Sequence, residues 1–270
     1  MLQSMYQRRR NVSLILTGIL LLISLIIFSF TPFNSADDWF AFVYMGIGLL
    51  LCLGTASISN HKLKQVQGHN LPESDASLFE ANHIVIKKDV GLFPRLLLFQ
   101  KNGAYAGVIK PLHIPWYCYP FGILLKESAI YLPITYGVYN SKDEIVMHLH
   151  IRGFLKAKSN VQITNAAKEH IGDYTQFDFQ NLVNIRGELT KPDGDLVLAI
   201  QTKGFMGDFR LIDDNGVTWA HFYNGYFPHN YTHLFRDIDN SIVDLNLHLA
   251  ERQKKLLLGF IAFSFLQRQR

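Results

Sequence analysis

The sequence predicts two N-terminal transmembrane helices followed by a mainly antiparallel β domain, a β-barrel around a hydrophobic C-terminal helix. Three observations predict it. Val12–Phe30 and Trp39–Ile58 are apolar runs without a charged residue. Between roughly residues 83 and 223, short segments of period-two character alternate with Asx- and Gly-rich turns. Finally, Leu256–Leu266 is apolar on nearly every side.

The two N-terminal runs have the length of membrane spans. At about 1.5 Å of rise per residue, roughly 20 helical residues cross a hydrocarbon core of about 30 Å. Arg8, Arg9 and Arg10 precede the first run, and His61, Lys62 and Lys64 follow the second. The connection Thr31–Asp38 carries only Asp37 and Asp38 as charges. Lys and Arg are retained on the cytoplasmic side, so the pattern predicts a multi-pass protein of the cell membrane with both termini cytoplasmic and the hairpin loop outside. Trp39 and Phe40 fall at the expected outer edge, where aromatic rings are favoured. A cleaved signal peptide fits less well: the first run exceeds the usual roughly 7–15 residues, and no small-x-small site precedes Thr31-Pro32. The expected organisation is a helical hairpin over residues 1–60, a polar linker over 61–76 with Gly68, Pro72 and Ser74 as breakers, and a β domain over 77–270.

The formal net charge of +4 is concentrated near the spans. Setting aside Arg8–Arg10, Lys62, Lys64, Asp37 and Asp38 leaves 21 basic and 20 acidic residues. So balanced a domain, with no basic groove interleaved with aromatics, does not point to nucleic acid. Cys52 lies in the second run and Cys118 in the β domain, and both read as reduced, buried thiols, in keeping with a cytoplasmic domain.

In the β domain, Glu144–Arg152 reads EIVMHLHIR: Ile145, Met147, Leu149 and Ile151 share one face, with Val146, His148, His150 and Arg152 on the other. Lys101-Asn102-Gly103, Asn140–Asp143, Lys191–Asp195 and Asp213–Gly216 are turn sequences between such segments. Tight turns favour antiparallel pairing, and long βαβ crossovers are not evident. About eleven strand segments make a large sheet whose closure removes exposed edges. From Asn240 to Gln267 the pattern reads as helical, with Asp239, Asn240 or Ser241 as cap and Ala250–Lys255 as good helix formers. Leu256–Leu266 would extend only about 16 Å as a helix, too short to span and too apolar to lie exposed.

The strand, Asx-Gly turn and strand units Tyr136–His150 and Phe205–Tyr223, followed by the apolar Leu256–Leu266, resemble the tubby-like C-terminal superfamily. That superfamily includes phospholipid scramblases and LURP-one-related proteins. The resemblance covers roughly residues 77–266, and two preceding spans look like a membrane-tethered bacterial type. It implies a twelve-stranded barrel around a C-terminal helix, and lipid as a ligand class. Tubby proteins bind phosphoinositide headgroups through basic residues, and scramblases are associated with lipid movement and calcium. No basic cluster here aligns residue by residue, so no functional residue is carried over.

Read from the residues themselves, His113–Phe121 (HIPWYCYPF) is the most unusual local segment. Its two prolines exclude a regular central strand, and Trp116, Tyr117 and Tyr119 suit an interfacial contact. Lys87, Lys88, Arg95, Lys101, Lys156 and Lys158 are cations able to meet anionic lipid, each worth about 1 kcal/mol near such a surface; as solvated edge lysines they also guard against sheet-to-sheet pairing. His221–His233 adds further aromatics. The turn at Asp213–Gly216, with Asp208, carries oxygen ligands but lacks a calcium-loop pattern. His148 and His150 share a face, His221 lies on another segment, and His229 and His233 fall in a loop; zinc needs three or four converging ligands. No G-x-S-x-G, H-E-x-x-H, Walker or dinucleotide motif is present, and Cys118 has no neighbouring base. The expectation is a non-catalytic membrane-tethered domain that binds lipid headgroups or another membrane protein, without cofactor or metal. A scramblase-like lipid transporter and a metalloenzyme using His148, His150 and His221 are the alternatives.

Overall fold

The structure is a computed structural model that describes residues 2–30, 36–67, 72, 74, 77–89, 91, 93–119, 132–152, 159–177, 184–203, 208–225 and 240–267. The chain divides into two compact units, Met1–Asn70 and Leu71–Arg270.

The first unit is an antiparallel hairpin of α1 (Leu2–Phe30) and α2 (Ala36–Val66). Both helices are long and apolar enough to cross a membrane. Contacts along their length set the register: Gln3 Nε2 donates to Val66 O at 3.2 Å, Arg10 Nη1 to Asn60 Oδ1 at 3.2 Å, and the Phe28 and Phe42 rings meet edge to face at 5.9 Å. Ile15, Leu22, Leu25, Leu50 and Leu51 are exposed on the hairpin surface, where lipid chains would cover them. The hydroxyls of Thr17, Ser24, Ser29 and Thr55 donate to the carbonyl four residues back, which satisfies them inside their own helices. Helix continues past both apolar runs, by ten residues before Val12 and eight after Ile58, or about 15 and 12 Å. His61–Val66, in the polar stretch, is therefore helical.

The second unit is a twelve-stranded antiparallel sheet with a helix inside it. The strands are β1 (His83–Asp89), β2 (Arg95–Gln100), β3 (Tyr105–His113), β4 (Thr135–Asn140), β5 (Ile145–Arg152), β6 (Ser159–Asn165), β7 (His170–Gln176), β8 (Asn184–Thr190), β9 (Leu196–Lys203), β10 (Phe209–Ile212), β11 (Thr218–Gly225) and β12 (Asn240–Leu245), followed by α3 (Glu251–Gln267). Their order is β10-β11-β12-β1-β2-β3-β4-β5-β6-β7-β8-β9. β9 and β10 stand at the two ends of this order yet lie alongside each other, so the barrel is nearly closed. This is the arrangement that the tubby-like resemblance implies.

Strand direction gives the barrel two unlike rims. At one rim the connections are tight. Gly103, Asp143, Lys168, Gly194 and Gly216 each have positive φ, and each donates its N–H to the carbonyl three residues back. Asn140, Asn165 and Asp213 reinforce three of these turns, their side-chain oxygens accepting N–H bonds from Glu144, Glu169 and Val217. The opposite, loop rim is where β3 ends and the segment that carries Trp116 begins. The chain comes in at the tight-turn rim: Ser74 N donates to Tyr105 O at 3.0 Å, Tyr105 N to Pro72 O at 2.9 Å, and Ser141 Oγ to Ser74 O at 2.8 Å.

One expectation needs correction. Asn240–Leu245 is a strand, paired with both β11 and β1, and the helix begins only at Glu251. Asn240 and Ser241 therefore cap nothing. The Gln253 side chain instead accepts the Ala250 N–H at 2.9 Å, a capping interaction from the third helical position. In Asn240–Leu245, Val243 and Leu245 alternate into the core, a period-two signal obscured by the long apolar run behind it.

Every residue of α3 from Leu256 to Gln267 is buried. The helix meets walls on several sides. Phe260 packs on Tyr174 of β7, ring centroids 5.0 Å apart, and on Phe222 of β11 at 6.3 Å. A Cβ at Gly259 would stand 2.4 Å from Ile163 Cδ1 and 3.4 Å from Leu149 Cδ2, so the absent side chain lets the helix close on β5 and β6. Arg252 anchors the start of the helix through Nη2 to Ile171 O at 2.9 Å.

Candidate functional site

The loop rim gathers the aromatic segment and part of the cationic set. Pro115, with its φ fixed, opens a short turn in which Cys118 N donates to Pro115 O at 2.9 Å and Tyr119 N to Trp116 O at 3.3 Å. Cys118 is fully buried in the core cluster, and burial pushes its thiol up, so it is a packing group and not a nucleophile. Tyr119 meets Phe93, from the β1–β2 connection, edge to face at 6.0 Å. With Cys118 turned inward, Trp116 is left 82% exposed, Tyr117 49%, Tyr119 45% and neighbouring Leu112 43%. Four large apolar or amphipathic side chains thus stand out from one rim.

The cations divide. Lys87 is only 6% exposed, on the wall of β1, and does not present its side chain to the surface. Lys88 is exposed at the rim end of β1. Arg95 is half-buried, its Nε without a hydrogen-bond partner, and it is the cross-strand partner of the buried Asp89. Lys156, Lys158, His229 and His233 lie outside the described residues.

The histidines do not assemble as the metalloenzyme alternative requires. His148 and His150 stack at 6.1 Å on the outer face of β5, whereas His221 is on β11, with five strands between them in the sheet order. His221 instead pairs through Nε2 with Asp208 Oδ1 at 2.5 Å, and His83 Nδ1 pairs with Asp244 Oδ1 at 2.5 Å. Sequence reasoning missed His83–Asp244 because the partners are 161 residues apart and meet only through the β1–β12 register. Burial, and then the Asp244 carboxylate, push the neighbouring Tyr223 phenol up to about 12. Among the described residues no group of three or more His, Cys, Asp or Glu is arranged to hold a metal ion. The turn carboxylate of Asp213 is engaged locally, accepting from Val217 N at 2.8 Å, Asn215 N at 3.0 Å and Trp219 Nε1 at 3.1 Å. Those bonds, the Val217 N–H foremost, hold its carboxyl below the usual range.

The burial of His150 is expected to make the barrel's stability fall in acid. Burial, followed by the charges of His148, Arg152 and Lys168, lowers the His150 pKa. The unfolded chain takes up that proton more readily, so the stability tied to His150 is fully present above the ordinary histidine range and is lost as pH falls through about 6.5. The urea midpoint of residues 71–270 is expected to drop between about pH 8 and pH 5.5, and to drop less in His150→Gln. Equal drops would remove His150 from the account.

At the loop rim, Leu112, Trp116, Tyr117 and Tyr119 are the exposed large side chains of the β3–β4 segment among the described residues, and Lys88 is exposed at the end of β1 on the same rim. No family model, curated protein or solved structure matches this chain.

Proposed function

We propose that the protein is a non-catalytic, membrane-anchored barrel whose cytoplasmic loop rim binds anionic lipid headgroups. The observation that carries it is the projection of Trp116, Tyr117, Tyr119 and Leu112 from the rim that also bears Lys88. Tryptophan and tyrosine favour the bilayer interface, and a lysine there gains about 1 kcal/mol from an anionic leaflet. Arg95, Lys156 and Lys158 complete the proposed basic set, the last two in the connection between β5 and β6. The tubby-like resemblance, whose members include phosphoinositide binders, supports a lipid ligand. Tethering makes weak headgroup contacts sufficient, because a domain held to the membrane by a short link meets lipid at a high effective concentration.

Lipid transport through the spans is less well supported, since the hydroxyls of Thr17, Ser24, Ser29 and Thr55 are bonded within their own helices and form no ionisable track.

The test uses residues 71–270, which keep the docked Pro72 and Ser74 and a core of their own. This fragment is expected to float with phosphatidylserine-containing vesicles in preference to pure phosphatidylcholine ones, and to lose the preference as salt rises. Equal partitioning at low salt would replace lipid by a membrane protein as the ligand of this rim.

A further inference from the structure

The barrel lumen is apolar along most of α3, but in its loop-rim third polar side chains stand among apolar ones such as Ile185, Phe265 and Leu266. Tyr174 lies against Phe260 at 5.0 Å and Phe263 at 5.8 Å. Two residues farther along β7, about 6.6 Å toward the loop rim, the same inward face carries Gln176. Four residues beyond Phe260 and Phe263, about 6 Å toward the same rim on the same helix face, stand Ser264 and Gln267. The register extends the level around the wall. Gln176 pairs with Ser159 of β6 and Gly187 of β8, Gly187 pairs with Ile200 of β9, and the next inward residue of β9 toward the rim is Thr202.

Ser159, Gln176, Thr202, Ser264 and Gln267 are all at least nine-tenths buried. Within this group Thr202 Oγ1, Ser264 Oγ and Gln267 Nε2 have no hydrogen-bond partner. Tyr174 Oη reaches Gln176 Oε1 only at 3.5 Å. Buried polar groups in folded proteins are almost always hydrogen-bonded, so three orphans in the same part of the lumen, one on the inward face of β9 and two on α3, point to a missing partner. None of the six side chains is charged, so a metal ion, phosphate or carboxylate would have no compensating charge there. Hydroxyls and carboxamides both donate and accept, and burial pushes the Tyr174 phenol up, which keeps it a donor.

We propose that the loop-rim third of the barrel lumen is a binding site for a small neutral molecule bearing hydroxyl or amide groups, held by Thr202, Ser264 and Gln267. The site lies inside the barrel and is independent of the lipid-binding rim. A ligand surrounded by strands and helix leaves slowly and co-purifies.

Native mass spectrometry of the full chain released from detergent micelles tests this. Wild type is expected to carry a small neutral adduct whose occupancy falls at least tenfold in Thr202→Val/Ser264→Ala/Gln267→Met, with a lower melting temperature for that variant. Ser264→Ala alone, a mild change in a helix, is the second variant should the triple one fail to fold, and it is expected to weaken the adduct. A bare wild-type mass overturns the proposal, as does an adduct retained equally by both variants. A triple variant that melts higher than wild type also overturns it, because removing orphaned polar groups then relieves a cost that no ligand was offsetting.

Discussion

Replacing Phe260 with alanine is expected to destabilise the barrel by about 3–5 kcal/mol, a large share of the roughly 5–15 kcal/mol that holds a typical domain together. Phe260 is fully buried, and its ring bridges Tyr174 on β7 and Phe222 on β11. Those strands stand on opposite sides of the seam between β9 and β10, where no ladder closes the wall. The helix therefore does more than fill the lumen: its aromatic side chains tie the two flanks of an unzipped seam. Phe265, 6.3 Å from Phe222, adds a second contact on the β11 side. Urea unfolding of residues 71–270 measures the loss. Amide exchange in β10, the four-residue strand at the seam, is expected to accelerate more than exchange in β5. Leu196→Ala, at an exposed position beside the seam, should change the midpoint little. A Phe260→Ala cost below about 1 kcal/mol would mean that the helix is not enclosed by the strands.

How far the fold is legible from the amino acids depends on whether the deciding signal is local. The spans are written in continuous composition, and so is α3, because a segment apolar all round has no stable place except inside protein or lipid. Turns at Gly103, Gly194 and Gly216 are legible because glycine marks positive φ. The turn at Lys168 was not foreseen: a lysine occupies the left-handed position, and the aid comes from Asn165, three residues earlier, which accepts the Glu169 N–H. β12 was hidden because its alternation is short and runs into the helical sequence behind it. Lys87 and Lys88 are adjacent and chemically alike, yet one is buried and the other exposed. In His83–Asp89 (HIVIKKD) both faces of the strand begin apolar, so the pattern does not say which lysine turns away from solvent. The site shows the same division. The oddity of His113–Phe121 is visible in its prolines and rings, but that Cys118 turns in and Trp116 turns out depends on the Phe93–Tyr119 contact across two connections. Pairs such as His83–Asp244, and the polar end of the lumen, exist only once the register is set.

Trp116→Ala is expected to leave the fold intact and to weaken vesicle binding about tenfold, or about 1.4 kcal/mol. At 82% exposure the indole contributes little to the core, and surface substitutions of this kind usually fall within about 0.5 kcal/mol of neutral. Seated in the headgroup layer it would hide a good part of its apolar area, at about 25 cal/mol per Å², which is where the tenfold comes from. Lys88→Gln is the companion variant, with a loss of about 1 kcal/mol, or roughly fivefold, against an anionic surface. The two losses differ in kind. The lysine term is electrostatic and should fade as ionic strength shortens the Debye length from about 10 Å at 0.1 M to about 3 Å at 1 M. The tryptophan term is burial and should persist at high salt and on neutral vesicles. Vesicle flotation of both variants of residues 71–270 at low and high salt separates the terms, with urea midpoints as the check on folding. If Trp116→Ala bound as well as wild type under every condition, the aromatic rim would not be the lipid contact. If its loss vanished at high salt together with that of Lys88→Gln, the ring would be acting only by positioning charge, and the interfacial role argued from its exposure would fall.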